Sequence, residues 1–137
     1  MKVLLDTNIW IAAFLTHGVC HELLEHCLEH HEILISEDIY KEIEEKLRDK
    51  FKFPAVRIRE SLSFIKEQAH CVPVEPLKEP VCRDPDDDLV LASLVSGRAD
   101  CLITGDDDLL VLKAFKGIPI LSPKKYWEFE KKFREEE

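Results

Sequence analysis

Short, continuous apolar runs alternate along this chain with longer segments whose apolar residues recur at helical spacing. Lys2-Val-Leu-Leu5, Glu32-Ile-Leu-Ile35, Cys101-Leu-Ile-Thr104 and Ile118-Pro-Ile-Leu121 read as strands. Cys71-Val-Pro-Val-Glu75 reads as a weaker strand, demoted to a sheet edge by Pro73. Between them, Ile9 to Leu15 and residues 18 to 31 predict helices, the second apolar at Val19, Leu23, Leu24, Cys27 and Leu28. Ser36 caps a helix from Glu37 to about Lys50, with Ile39, Tyr40, Ile43 and Leu47 facing the core. Pro54 marks a turn before a further helix from Ala55 to about Ala69. Leu109 to Phe115 predicts a short helix ended by Gly117, and Ser122-Pro123 starts the last one, through Tyr126, Trp127, Phe129 and Phe133. Strands alternating with helices imply an α/β fold with a parallel sheet covered on both faces.

The polar residues that interrupt this pattern are concentrated. Asp84, Asp86, Asp87 and Asp88 open the apolar helical segment Leu89 to Asp100, which closes on Gly97; Asp106, Asp107 and Asp108 follow the Cys101–Thr104 strand. The first cluster sits in a helix's positive first turn. A helix lying back along a parallel strand returns the chain to the same sheet edge, so the two clusters can meet there. Asp6-Thr7-Asn8 ends the first strand; any of the three can cap the following helix, leaving one spare for chemistry. Acids after the first and fourth strands make those strands neighbours at a topological switch point, an order 3-2-1-4-5 with the site at the carboxyl edge. Glu42, on a helix leaving another strand end, is the best placed of its neighbours to lean over that site. So much gathered negative charge is costly without a cation, and a divalent metal is the obvious one.

Composition narrows the picture. The 137 residues are 45% apolar and 34% charged, enough for one domain with a single core. No apolar run approaches the ~18 residues of a membrane span, and Met1-Lys2-Val3 leads straight into a strand, so a cytoplasmic protein with no membrane role is expected. Cys20, Cys27, Cys71, Cys82 and Cys101 are scattered and without a C-x-x-C pair, as small core residues would be. A net charge of −9 argues against indiscriminate nucleic-acid binding. The one basic stretch, residues 46 to 59, carries Lys46, Arg48, Lys50, Lys52, Arg57 and Arg59 with Phe51 and Phe53 interleaved; it suits phosphate contact and base stacking, or a solvated basic face with two core Phe residues. His17/His21 and His26/His30 have zinc-clamp spacing, but no Glu follows the first His and no third ligand is fixed, so they read as a solvated helix face.

Four segments together carry a resemblance: Leu4-Leu-Asp6-Thr-Asn8, Ser36-x-x-x-Tyr40-x-Glu42, Arg83-Asp-Pro-x-Asp-Asp88-x-x-Leu-Ala92, and Thr104-Gly-Asp106-x-Asp108-Leu-Leu110. In order and spacing they resemble the PIN-domain ribonucleases, especially the VapC-like toxins of toxin–antitoxin systems, over essentially all of residues 1–137. The resemblance implies a three-layer α/β/α, Rossmann-like PIN domain. It implies an endoribonuclease using Mg²⁺ or Mn²⁺, with Asp6, Glu42, Asp87 and Asp106 matching the acidic quartet. Asp84 and Asp88 compete with Asp87 for the third place, and Asp108 matches an often acidic position. Thr104 matches the polar residue ending the fourth strand, beside Thr7 and Asn8 of the first motif. An antitoxin partner and a homodimer are further implications. Independently, carboxylates around one crevice suit Mg²⁺, while the acidic motifs lack the Cys, His or Gly-rich loop of zinc, thiolate or nucleotide-triphosphate chemistry. An aspartate-based phosphatase is disfavoured, since position 8 is Asn rather than a second Asp. A non-catalytic PIN-like module binding RNA or protein is the alternative from another class.

Overall fold

The apolar runs pair as their alternation requires. A computed structural model describes residues 1–136. In chain order the elements are β1 (Lys2–Leu5), α1 (Thr7–Leu15), α2 (Val19–His30), β2 (Glu32–Ser36), α3 (Glu37–Asp49), α4 (Ala55–Gln68) and β3 (Ala69–Val72). There follow α5 (Pro85–Ser96), β4 (Cys101–Ile103), α6 (Asp107–Leu110), β5 (Ala114–Phe115), β6 (Ile118–Leu121) and α7 (Pro123–Glu136). The sheet order is β3-β2-β1-β4-β6-β5, parallel except for β5 against β6. This is the expected 3-2-1-4-5 order, with β6 as the last parallel strand and β5 added outside it.

β1 is central. Val3 aligns with Ile33 of β2 on one side and Cys101 of β4 on the other, and Val3, Leu4 and Leu5 are fully buried. The chain steps outward from β1 through β2 to β3, then returns across the sheet to β4. Right-handed crossovers in opposite directions place α5 on the face opposite α1–α4. The core joins both faces to the strands through Trp10, Leu23, Ile43, Leu47, Leu91 and Tyr126, all buried.

Two expectations are corrected. Leu109 to Phe115 is not one helix: α6 is a single turn, and the chain then reverses into the β5–β6 hairpin. The turn needs left-handed backbone at Lys116 (φ 49°) and Gly117 (φ 81°). Leu109 is buried while Val111 is 72% exposed, so this apolar run holds no continuous helical stripe. β3 lies at 69–72 rather than 71–75, because Pro73 has no N–H to continue the ladder; β3 is an edge strand, as expected. Phe53 is a core residue with the Arg57 guanidinium 3.9 Å from its ring centre, in keeping with the reading of the basic stretch as a solvated face over core Phe residues and not with base stacking by this ring. Among the described residues no helix is long and apolar enough to cross a membrane, and all five cysteines are free thiols.

Candidate active site

Two adjacent strand ends build the site. The Asp6 amide donates to the Ile103 carbonyl (3.0 Å), and that of Thr104 to Leu121 (3.0 Å), so the sheet's register carries one step past β1 and β4. Asp6 and Thr104 therefore meet side by side: the Thr104 hydroxyl donates to Asp6 Oδ2 at 2.7 Å. Asp6 Oδ1 caps α1 by accepting from the Thr7 amide at 2.8 Å, and the Asn8 side-chain amide lies 3.4 Å from Oδ2. Asn8 Oδ1 accepts from Gly105 N–H (3.0 Å), tying the first loop to the fourth. Capping and chemistry were alternatives for Asp6 in the sequence, yet a carboxylate has two oxygens and this one uses both. Thr7 is buried, and its hydroxyl has no hydrogen-bond partner.

The second cluster is arranged by its own caps. Asp106 Oδ1 accepts from the Asp108 amide (2.9 Å), and the Asp106 amide donates to Thr104 Oγ1 (3.0 Å). These bonds turn Asp106 and Asp108 towards Asp87 in the first turn of α5. Oxygens of Asp87, Asp106 and Asp108 all lie within 4.8 Å of one another. The remaining aspartates have other duties. Asp84 is the N-cap of α5, accepting from Asp86 N–H at 2.9 Å. Asp88 accepts from the Cys82 amide (2.8 Å) and the Val81 amide (3.1 Å), which fastens the preceding loop to the helix. Asp87 is thus the member of the first cluster that faces the second.

Burial and like charge perturb these acids. Burial raises the Asp6 carboxyl above its ordinary value, and the charges of Glu42 and Asp106 add to this, against the lowering bonds from Thr104 and Thr7. Asp87 is pushed up to about 7, first by burial and then by the Asp106 charge and a hydrogen bond with it. Glu42 stands at the rim on α3, its carboxylate 3.4 Å from Lys46 Nζ, near enough to Asp6 and Asp86 to raise both. It is outside the three-carboxylate group. Arg83, to which the sequence assigned no role, pairs its guanidinium with Asp108 Oδ1 at 2.7 Å. Its only signal was being the one cation adjoining the aspartates.

The basic stretch divides. Lys46 and Lys50 line a shallow groove with Asn8, Ile11 and Phe51, beside the first acidic loop. Arg48 instead pairs with Asp49 (3.0 Å) and approaches Glu44 (3.8 Å), and is not among the groove residues. Lys52 takes a left-handed conformation (φ 55°) in the turn after α3.

The fold and the site together define a parallel α/β protein with an acidic crevice at the carboxyl edge of its sheet, at the switch point between β1 and β4. A family model described as PIN domain matches residues 2–108, and the chain belongs to the PIN domain family. In fold it is similar to VapBC2 from Rickettsia felis, solved bound to a DNA fragment from its promoter (TM-score 0.65, 16% identity, covering 89% of this chain and 98% of that one). It is also similar to VapBC-1 from nontypeable Haemophilus influenzae (TM-score 0.62, 15% identity, 90% and 99% covered). The PIN domain endonuclease Utp24 is a third neighbour (TM-score 0.52, 24% identity, 88% and 84% covered). No curated protein matches the chain in sequence.

Proposed function

We propose that this protein is a metal-dependent endoribonuclease, the toxin of a toxin–antitoxin pair, with residues 1–137 forming one PIN-like domain. The observation that carries the reading is the convergence of Asp87, Asp106 and Asp108 on one point beside the buried Asp6–Thr104 pair. The donor set fits Mg²⁺ or Mn²⁺: it is all oxygen, and Arg83 offsets the charge of Asp108 alone, leaving mutual repulsion between Asp87 and Asp106 that a divalent ion would relieve. Asp87, Asp106 and Asp108 would hold the ion, with Asp6 and Glu42 completing the acidic wall. When bound, a divalent ion neutralises charge on the phosphoryl group and makes a bound water more acidic.

The chain's own residues do the rest. Thr104 and the Thr7 amide fix both oxygens of Asp6, so this carboxylate needs no reorganisation when substrate arrives. Lys46 and Lys50, next to Asn8, offer positive charge where a phosphate backbone would enter an otherwise acidic surface. An antitoxin is the proposed protein partner, on the likeness to the VapBC structures, and self-association as a homodimer is proposed with it.

The test is incubation with mixed-sequence single-stranded RNA in Mn²⁺, Mg²⁺ or EDTA, beside Asp6→Asn. Cleavage that needs metal and vanishes in the variant supports the reading. RNA bound tightly but left intact under every condition would replace it with a non-catalytic module.

A further inference from the structure

A second group of ligand-type side chains lies away from the acidic crevice. His26 is on α2, His31 follows that helix, and Glu130 comes from α7. Glu130 has a side chain only 1% exposed, with Oε1 2.9 Å from His26 Nε2 and 3.5 Å from His31 Nε2. The three ligand atoms all fall within 4.8 Å of one another. His31 is itself 5% exposed in its side chain, and its Nε2 has no hydrogen-bond partner. A polar atom buried without a partner is costly, and here it points at a carboxylate that a second imidazole also approaches.

We propose that His26 Nε2, His31 Nε2 and Glu130 Oε1 form a binding site for one Zn²⁺ ion, clamping α7 to α2. Two imidazoles and a carboxylate are a donor set that zinc takes readily, whereas Mg²⁺ prefers oxygen alone. Tetrahedral zinc with bonds of ~2.0–2.1 Å places neighbouring ligand atoms about 3.3 Å apart. The observed 2.9 and 3.5 Å fall on either side of that spacing, so those two pairs need adjust by only a few tenths of an ångström. The outer contacts also suit a metal. Arg134 forms an ion pair with the other Glu130 oxygen at 2.9 Å, though that oxygen accepts no hydrogen bond, and Trp127 packs edge-on to His26 with ring centres 4.9 Å apart. The Met1 nitrogen lies 3.2 Å from His31 Nδ1. Zinc at Nε2 leaves the ring proton on Nδ1.

The site is distinct from the crevice. Met1, His31, Glu32 and Asp100 line a cavity at the amino ends of β1, β2 and β4, whereas Asp6 and Thr104 stand at the carboxyl ends. The proposal therefore does not depend on ribonuclease activity.

The experiment is titration of the full chain with Zn²⁺ by calorimetry and with Co²⁺ by visible absorption, with the crevice disabled by Asp6→Asn and Asp106→Asn together. The expected result is one ion per chain and a Co²⁺ spectrum of four-coordinate intensity. Adding His26→Gln or Glu130→Gln should weaken Zn²⁺ binding by about 100-fold or more, at or beyond the upper end of what outer-shell losses cost. Circular dichroism in EDTA checks that each variant folds. If Glu130→Gln does not, His26→Gln decides, because that side chain is partly exposed (17%). Absence of Zn²⁺ binding in the crevice-disabled protein, or unchanged affinity in His26→Gln, overturns the site.

Discussion

Asp87→Asn isolates the electrostatic cost of the acidic crevice. Asp87 is 9% exposed, and its carboxyl stands at about 7, against an ordinary 3.8, through burial first and Asp106 next. Between those two values the folded protein binds more protons at this position than the unfolded chain does. Stability contributed by the protonated group is therefore full below pH ~4 and is lost as pH rises towards 7. A difference of about three pH units converts, at ~1.36 kcal/mol each, to an upper bound of ~4 kcal/mol. Water reaches the crevice past the half-exposed Asp106 and Asp108, and screening leaves about 1–2 kcal/mol. Asn has nearly the same shape, stays neutral, and can donate to Asp106 as the protonated acid does.

The assay is thermal denaturation of wild type and Asp87→Asn in EDTA at pH 5 and pH 8. Other carboxylates titrate in both proteins and largely cancel in the difference. The variant should gain on wild type by about 1 kcal/mol or more between the two pH values, or roughly 3–5 °C for a chain of this size. Mn²⁺ at pH 8 should reverse the order, since only the wild type keeps its full ligand set. A difference that does not change with pH would refute the reasoning, because the repulsion between Asp87 and Asp106 would then not be stored in the fold.

Three further predictions concern the neighbours. Asp6→Asn should lower RNA cleavage by at least ~100-fold; by urea denaturation it should cost about 1 kcal/mol, because Asn keeps the cap on Thr7 N–H through its one amide oxygen but loses the second acceptor that takes the Thr104 hydroxyl. Thr104→Val removes the hydroxyl that donates to Asp6 and accepts from the Asp106 amide, and should cost about 1–3 kcal/mol by urea denaturation. Ser36→Ala removes the cap of α3, whose Oγ accepts from Ile39 N–H at 3.1 Å, and should cost ~1 kcal/mol by the same measurement.

The central strands and the meeting of the two acidic loops at one sheet edge were legible because both rest on local patterns. A buried parallel strand is a continuous apolar run, and acids just after two such runs fix which strands adjoin. β1, β2 and β4 follow directly, and so does the crevice between Asp6 and Asp106. What the pattern does not carry is the choice among adjacent like residues. Asp84, Asp87 and Asp88 are equivalent as letters, and only the caps separate them: Asp84 is spent on Asp86 and Asp88 on the Cys82 loop, which leaves Asp87 facing Asp106. The Leu109–Phe115 segment failed for a related reason, since a short apolar run has no period long enough to distinguish a helical turn from a hairpin arm.

The histidines show the limit most clearly. Spacing selects His26 and His30, one helical turn apart, and finds no third ligand. The fold instead keeps His26, replaces His30 with His31 just beyond the end of α2, and brings Glu130 from α7, 104 positions along the chain. Helical periodicity is a statement about one element, whereas a ligand set drawn from α2, the residue after it and α7 exists only once α7 has docked. A sequence pattern can therefore nominate a ligand such as His26, but the long-range packing decides which residues complete it.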